Sequence, residues 1–174
     1  PRVRRQRQMC IRDSYNGAFP SEYSNALSGI FDMQIRNGNN QKYEHTFQLG
    51  ILGIDLASEG PISRKHGSSY IFNYRFSTTS LATGNDMNLK YQDLSFKLNF
   101  PTRKAGTFSI WGIGLIDRYK PEAIDRDEWE TQGDRQSGNT AFDKAAGGLT
   151  HKYLINADTY IRSSSVSYTH LTLP

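Results

Sequence analysis

Hydrophobic and polar residues alternate along much of the segment 69–116, and polar breaks divide the alternation into separate runs. In the first run aromatic residues occupy every second position, at Tyr70, Phe72, Tyr74 and Phe76. A period of two places side chains on opposite faces of a strand, so this run predicts a β-strand with one apolar face. The run at 91–100 predicts a second strand of the same kind.

Strands with this pattern occur in two classes of protein. About 9–11 residues with one apolar face cross a membrane as one strand of a β-barrel, and similar strands build the soluble β-sandwich. In a barrel Phe72, Phe96 and Leu98 would face lipid. The polar positions Arg75, Asp93 and Lys97 would then face the lumen or an enclosed plug. The alternation alone leaves both classes open.

The rest of the chain predicts more strands and no helix. Residues 41–62 change phase near Gly50 and Gly53, which predicts two strands joined by a tight connection. A strand is also predicted at 30–36 before a turn rich in Asn and Gly. The other predicted strands are 69–78, 91–100, 107–117, 141–153 and 158–165.

The predicted connections differ in length in a regular way. Those at 63–68 and 101–106 are short, and the one at 118–140 is long. Up-and-down barrels of the outer membrane have short periplasmic turns and longer external loops. The difference in length between the connections therefore favours a membrane barrel over a soluble sandwich.

The charge of the chain comes from its first residues. The 174 residues carry a net charge of +4, and residues 1–14 hold five arginines against one aspartate. Residues 15–174 hold 16 basic and 16 acidic residues and are therefore neutral. A basic arm is a signal for nucleic-acid binding. Phosphate binding needs clustered Lys and Arg, so this hypothesis depends entirely on the first 14 residues.

The two ends of the chain share one DNA word read on opposite strands. Residues 166–171 back-translate as GTC TCT TAT ACA CAT CT, whose reverse complement encodes Met-Cys-Ile-Arg-Asp, the sequence of residues 9–13. The word resembles the end of a transposon-type sequencing adaptor. We therefore predict that residues 1–14 and 166–174 are non-native, adaptor-derived segments to be excluded from fold reasoning. No nucleic-acid partner is then predicted, and Cys10, the single cysteine, is excluded as well.

Sequencing of the source locus tests this prediction. We expect the genomic reading frame to diverge from this sequence before Tyr15 and after about Ser165. Genomic DNA that encodes both terminal segments in frame would overturn the prediction.

The sequence contains no pattern typical of a catalytic or metal site. His45, His66 and His151 have neither helical nor hairpin ligand spacing, so no metal site is predicted. There is no Gly-x-Ser-x-Gly nucleophile turn and no glycine-rich phosphate loop. We therefore predict no catalytic residue, no cofactor and no enzymatic activity.

Residues 17–40 resemble the end of the plug domain of TonB-dependent outer-membrane receptors, in the branch found in Bacteroidetes-type bacteria. The matching runs are Gly-Ala-Phe-Pro-Ser-Glu-Tyr at 17–23, Asn-Ala-Leu-Ser-Gly-Ile-Phe-Asp at 25–32 and Arg-Asn-Gly-Asn at 36–39. Further matches to the barrel strands of that family lie at 59–62, 69–75, 91–94 and 148–153. The family-like plug residues are Gly17, Glu22, Ser28, Gly29, Arg36, Asn37 and Gly38.

The resemblance implies an all-β, antiparallel up-and-down transmembrane β-barrel. About seven strands at 41–165 would follow the end of a plug domain at 15–40, within a complete barrel of roughly 22 strands. Such receptors import a scarce nutrient by active transport and catalyse no bond chemistry. The soluble β-sandwich that binds carbohydrate or protein remains the alternative.

The resemblance also implies a location and partners. The location is the outer membrane of a Gram-negative bacterium, where lipid surrounds the barrel. The implied partners are a nutrient of unspecified type, an energy-coupling complex of the inner membrane and, as a further candidate, a surface lipoprotein.

The densest acidic segment lies within the long connection 118–140. Carboxylates there are candidates for contacts to a ligand cation, and the tryptophan is a candidate for stacking on a ligand ring. The segment lacks the ligand spacing of an EF-hand calcium loop, and a solvated external loop explains its composition as well. The candidate contacts are Asp125, Asp127, Glu128, Trp129 and Glu130.

Overall fold

The computed structural model describes residues 10–15, 28–50, 53–77, 88–120 and 140–173, and every regular element in these ranges is a β-strand. The chain divides into two compact units, Pro1–Asn37 and Gly38–Pro174. The strands are β1 Cys10–Tyr15, β2 Ile30–Ile35, β3 Glu44–Leu49, β4 Gly53–Ser63, β5 Ser68–Ser77, β6 Asn88–Pro101, β7 Thr107–Lys120, β8 Thr140–Leu154 and β9 Tyr160–Leu173.

The described part of the first unit is one antiparallel strand pair. β1 pairs with β2, with Cys10 opposite Ile35 and Tyr15 opposite Ile30. The strand predicted at 30–36 is therefore present. β1 lies almost entirely in the segment 1–14, but strand pairing has no bearing on the DNA origin of that segment.

The described strands of the second unit form one antiparallel sheet in the order β3-β4-β5-β6-β7-β8-β9. The predicted up-and-down arrangement of about seven antiparallel strands is confirmed. Residues 88–90 and 118–120 were predicted as loop but belong to β6 and β7, because the two strands continue to pair as far as Asn88 and Lys120. β9 runs to Leu173 instead of ending at 165, because β8 supplies pairing partners along its whole length.

Tight turns join several of the strands. Gly50 and Gly53 exchange two backbone hydrogen bonds of 2.9 and 3.3 Å, which closes the predicted connection between β3 and β4. Gly67 and Gly106 have φ values of 69° and 80° in the turns at 64–67 and 102–106. Left-handed backbone is readily available only to glycine, so these turns can be short.

Aromatic rings cover glycines on neighbouring strands. A Cβ added to Gly112 would lie 2.6 Å from Cε1 of Phe96, the residue directly opposite. A Cβ on Gly148 would lie 3.0 Å from Cε2 of Trp111, again directly opposite. A ring lying over glycine fills the space that the missing side chain leaves and fixes strand register. The three pairs of this kind are Phe96–Gly112, Trp111–Gly148 and Tyr43–Gly60.

Candidate functional site

The strand register divides the seven-stranded sheet into two faces of different character. Residues directly opposite in adjacent antiparallel strands share a face, and Phe72–Phe96 and Arg75–Asp93 are two such pairs. The apolar face includes Ile54, Leu56, Tyr70, Phe72, Tyr74, Phe76, Leu94, Phe96, Leu98, Phe108, Ile110, Ile116 and Leu149. The polar face includes Asp55, Glu59, Ser69, Asn73, Arg75, Asp93, Ser95, Lys97 and Asn99. The predicted separation of Phe72, Phe96 and Leu98 from Arg75, Asp93 and Lys97 is therefore present.

The strand β7 departs from this division. In β7 the polar face carries Trp111, Ile113 and Leu115, opposite Lys97, Ser95 and Asp93 of β6. Ile113 is exposed. β7 is thus apolar on both sides over this stretch.

The burial of the two faces is the reverse of that in a water-soluble sheet. On the polar face Glu59 is only 7% exposed and Ser69 only 1%. On the apolar face Phe72, Ile110 and Leu149 are 37%, 42% and 47% exposed. A soluble sheet buries its apolar face under a second layer, and none of the described elements of the second unit provides that layer.

Polar side chains on the apolar face are hydrogen-bonded to one another. The His45 Nδ1 atom lies 3.0 Å from Ser58 Oγ, and Ser58 Oγ lies 3.1 Å from the Tyr70 hydroxyl oxygen. This chain links β3, β4 and β5. The hydroxyl of Tyr74 donates to Gln92 Oε1 at 3.1 Å. Each of these groups therefore has a partner without water, which is what an apolar solvent requires.

An ion pair marks one end of the apolar face. Arg118 Nη1 and Nη2 donate to the two carboxylate oxygens of Asp143 at 2.5 and 2.9 Å. This bidentate geometry is the strongest form of the Arg–carboxylate contact. Both residues lie near the strand ends that adjoin 121–139, and Lys90 is directly opposite Arg118. The apolar residues therefore stop at a polar border on this side.

Charged turns form the opposite border of the apolar face. The turns at 64–67 and 102–106 join strands at that end of the sheet. Their basic residues, all exposed, are Arg64, Lys65, Arg103 and Lys104. The apolar residues between the two borders form a band across β4–β8.

An arginine between two carboxylates lies on the polar face. Arg75 Nε is 3.7 Å from Asp55 Oδ2 and 3.7 Å from Asp93 Oδ2, so the three side chains link β4, β5 and β6. Asn73 Nδ2 donates to Asp55 Oδ1 at 2.6 Å. With these partners the charges tolerate partial burial on the polar face.

The predicted plug residues fall partly within the described ranges. Ser28 and Gly29 are exposed in the first unit. Arg36 Nη1 donates to the carbonyl oxygen of Asn37 at 3.1 Å. A Cβ on Gly38 would overlap the carbonyl oxygen of Tyr70, so only glycine fits there. Gly17 and Glu22, and the loop candidates Asp125, Asp127, Glu128, Trp129 and Glu130, lie outside the described residues.

Asn39 is a functional candidate that the sequence argument missed. Its backbone N–H donates to Glu59 Oε2 and its Nδ2 donates to Glu44 Oε1, each at 2.9 Å. Asn is common in turns because its side chain bonds to nearby backbone. The segment Asn-Gly-Asn-Asn at 37–40 therefore indicated only a local turn. The bonds to β3 and β4 depend on tertiary structure.

The histidines are engaged in separate local contacts. His66 Nδ1 lies 3.0 Å from Ser63 Oγ, and His151 Nε2 lies 2.6 Å from the carbonyl oxygen of Ala105. The His151 ring also stacks on Phe108 with 4.3 Å between centroids. Within the described ranges no three His, Cys, Asp or Glu side chains are grouped so that they could hold a metal ion.

Comparisons with protein-family models, curated proteins and solved structures gave no match to this chain. In the part of the chain that the structure describes, no helix has the length and apolar character needed to cross a membrane.

Proposed function

We propose that this chain is part of a plugged outer-membrane receptor that imports a scarce nutrient by energy-coupled transport. The observation that carries the proposal is the apolar face of the sheet, which is exposed across neighbouring strands while the polar face is the more buried. A barrel in lipid needs an apolar exterior and a polar interior. The family resemblance of residues 15–165 supplies the receptor class.

The dimensions of the strands support the proposal. β6 and β7 have 14 residues and β8 has 15, whereas strands of soluble proteins usually have about 5–6. On β7 the apolar band runs from Phe108 to Ile116. At about 3.3 Å per residue this stretch spans roughly 26 Å along the strand, or roughly 20 Å across a membrane at a tilt of about 40°. The lipid-facing band of outer-membrane barrels is about 25 Å tall.

The connections provide independent support. Those at 64–67, 102–106 and 155–159 lie at one end of the sheet and are short. Those at 78–87 and 121–139 lie at the other end and are longer, whereas the first connection at that end, between β3 and β4, is short. Short turns on the periplasmic side and longer loops outside are the usual arrangement in outer-membrane barrels. The proposed topology therefore places residues 121–139 outside the cell.

Cysteine labelling of neighbouring positions on β6 tests the proposal. In the intact protein in a bilayer, Phe96→Cys should react with lipid-soluble maleimide and resist a membrane-impermeant one. Lys97→Cys should be the less reactive of the two towards the lipid-soluble reagent. The reason is that the two side chains point to opposite faces. Equal labelling of both positions by both reagents would contradict a membrane barrel, and protection of Phe96→Cys from both would favour the sandwich.

A further inference from the structure

Asn39 makes four hydrogen bonds at the start of the second unit. Its Oδ1 accepts the backbone N–H groups of Gln41 and Lys42 at 2.9 and 3.1 Å, which closes a turn. Its own backbone N–H and its Nδ2 donate to Glu59 and Glu44. One side chain thus shapes the chain locally and ties it to two strands.

The two glutamates that Asn39 contacts need such donors. Glu44 and Glu59 are directly opposite each other on β3 and β4, so two carboxylates share one place on the polar face. Glu59 is only 7% exposed. A buried carboxylate beside another is unfavourable unless hydrogen-bond donors satisfy it. Asn39 gives one donor to each carboxylate without adding charge.

The backbone just before Asn39 also lies against the sheet. A Cβ on Gly38 would overlap the carbonyl oxygen of Tyr70 and lie 3.1 Å from the backbone nitrogen of Ile71. Gly38 therefore brings the chain into close contact with β5, and Asn39 then reaches β3 and β4. The boundary between the two units falls directly before this attachment, between Asn37 and Gly38.

We infer that Asn39 is a positioning residue that clamps the chain to the sheet. When the segment before Asn39 is pulled, its extension stops at Gly38 and the strands β3–β9 stay paired. This inference rests on the proposed function, in which an inner-membrane complex pulls on the plug. A pull on the upstream chain loads the bonds of Asn39 before it reaches the ladder of β3. Because these bonds lead to two neighbouring strands, the load is shared between β3 and β4.

Amide hydrogen exchange of the chain tests the clamp. Asn39→Ala should speed exchange of the Gln41 and Lys42 amides at least tenfold, because their acceptor is removed. Asn39→Asp keeps that acceptor but places a third carboxylate beside Glu44 and Glu59. It should leave those two amides protected and speed exchange of the amide of residue 39 itself.

Matched controls come from the neighbouring asparagines. Asn37 and Asn40 are both exposed, so Asn37→Ala and Asn40→Ala should change exchange of these amides less than twofold. Glu59 accepts the hydrogen bond of the Asn39 amide. Glu59→Gln keeps a carbonyl acceptor and should retain most of the exchange protection of that amide, which Glu59→Ala removes. Equal effects of Asn39→Ala and Asn40→Ala would overturn the role of Asn39.

A pulling experiment tests the mechanical part of the inference. The chain is held by Cys10, its single cysteine, and by a second cysteine placed at Lys65 in the exposed turn after β4. The first resistance should appear after extension of residues 10–38, roughly 95 Å at about 3.4 Å per residue. Asn39→Ala should abolish this step so that extension continues into β3. Resistance at the same length in both proteins would overturn the inference.

The pulling and exchange measurements are made on the chain folded in detergent micelles, and they need no transport activity. Their outcome is therefore separate from that of the labelling test at positions 96 and 97. If the clamp is observed but Phe96 does not face lipid, the proposed function is refuted and the clamp is retained. If Phe96 faces lipid but the clamp is not observed, the clamp is refuted and the proposed function is retained.

Discussion

Phe72→Arg is expected to lower the stability of the intact protein in a lipid bilayer by about 2–4 kcal/mol. This is the range for a cation at the midplane of a lipid-facing barrel surface. Phe72 is on the apolar face, directly opposite Phe96, which in turn is opposite Gly112. This row lies midway between the two polar borders of the band. The guanidinium group would therefore be as far from water as the band allows.

A matched substitution on the polar face provides the control. Ser95 is next to Phe96 in β6 but its side chain is on the polar face, opposite Asn73. Ser95→Arg should lower stability by less than Phe72→Arg, because its side chain lies on the polar face and not on the apolar one. Urea unfolding in lipid vesicles measures both variants. Equal losses for the two would contradict the assignment of faces, and a loss for Phe72→Arg in a protein that folds without lipid would support the sandwich.

Gly112→Val is expected to destabilise the protein by about 1–3 kcal/mol, which is the range for overpacking at a filled site. A Cβ at Gly112 would lie 2.6 Å from Cε1 and 2.9 Å from Cζ of the Phe96 ring. Removing the ring should relieve the clash. A double-mutant cycle with Phe96→Ala should therefore give a coupling free energy of about 0.5–3 kcal/mol.

Gly114 offers a control for this prediction on the same strand and the same face. An added Cβ there would meet no atom within 4 Å, and valine is favourable in strands. Gly114→Val should therefore be neutral or slightly stabilising in the same urea unfolding measurement. A comparable loss for Gly112→Val and Gly114→Val would show that strand flexibility, and not the Phe96 ring, is responsible.

The alternation of residues predicted most of the sheet. The predicted strands 69–78 and 141–153 correspond closely to β5 and β8, and the phase slip near Gly50 correctly separated β3 from β4. Alternation also assigns each residue to one of two faces, because a strand has only two. The arrangement as a closed barrel with a plug stays a prediction.

Contacts between distant residues were not predictable from alternation. Arg118 and Asp143 were not identified as a pair, and Arg118 was assigned to a loop. Their contact depends on the register of β7 against β8, which a pattern in one strand does not specify. The hydrogen bonds of Asn39 to Glu44 and Glu59 depend on tertiary packing in the same way.

The last strand, β9, does not follow the alternation of apolar and polar residues seen in β5 and β6. On the apolar side of the sheet β9 carries Ser163, Ser165 and Ser167, whereas the exposed Val166 and Tyr168 fall on the polar side. The amphipathic pattern of the preceding strands is thus lost. The prediction that residues 166–174 are adaptor-derived is tested by genomic sequencing.

The strand order has a consequence for how such a sheet assembles. Every strand from β3 to β9 pairs only with its neighbours in the sequence, so the sheet can grow hairpin by hairpin and each step closes only a local loop. Within the described sheet both outer strands, β3 and β9, present an edge, and a strand edge is a template for a further strand. In hydrocarbon each unsatisfied backbone group costs roughly several kcal/mol. In the proposed barrel the growing edge, more than any core, is therefore where assembly needs protection.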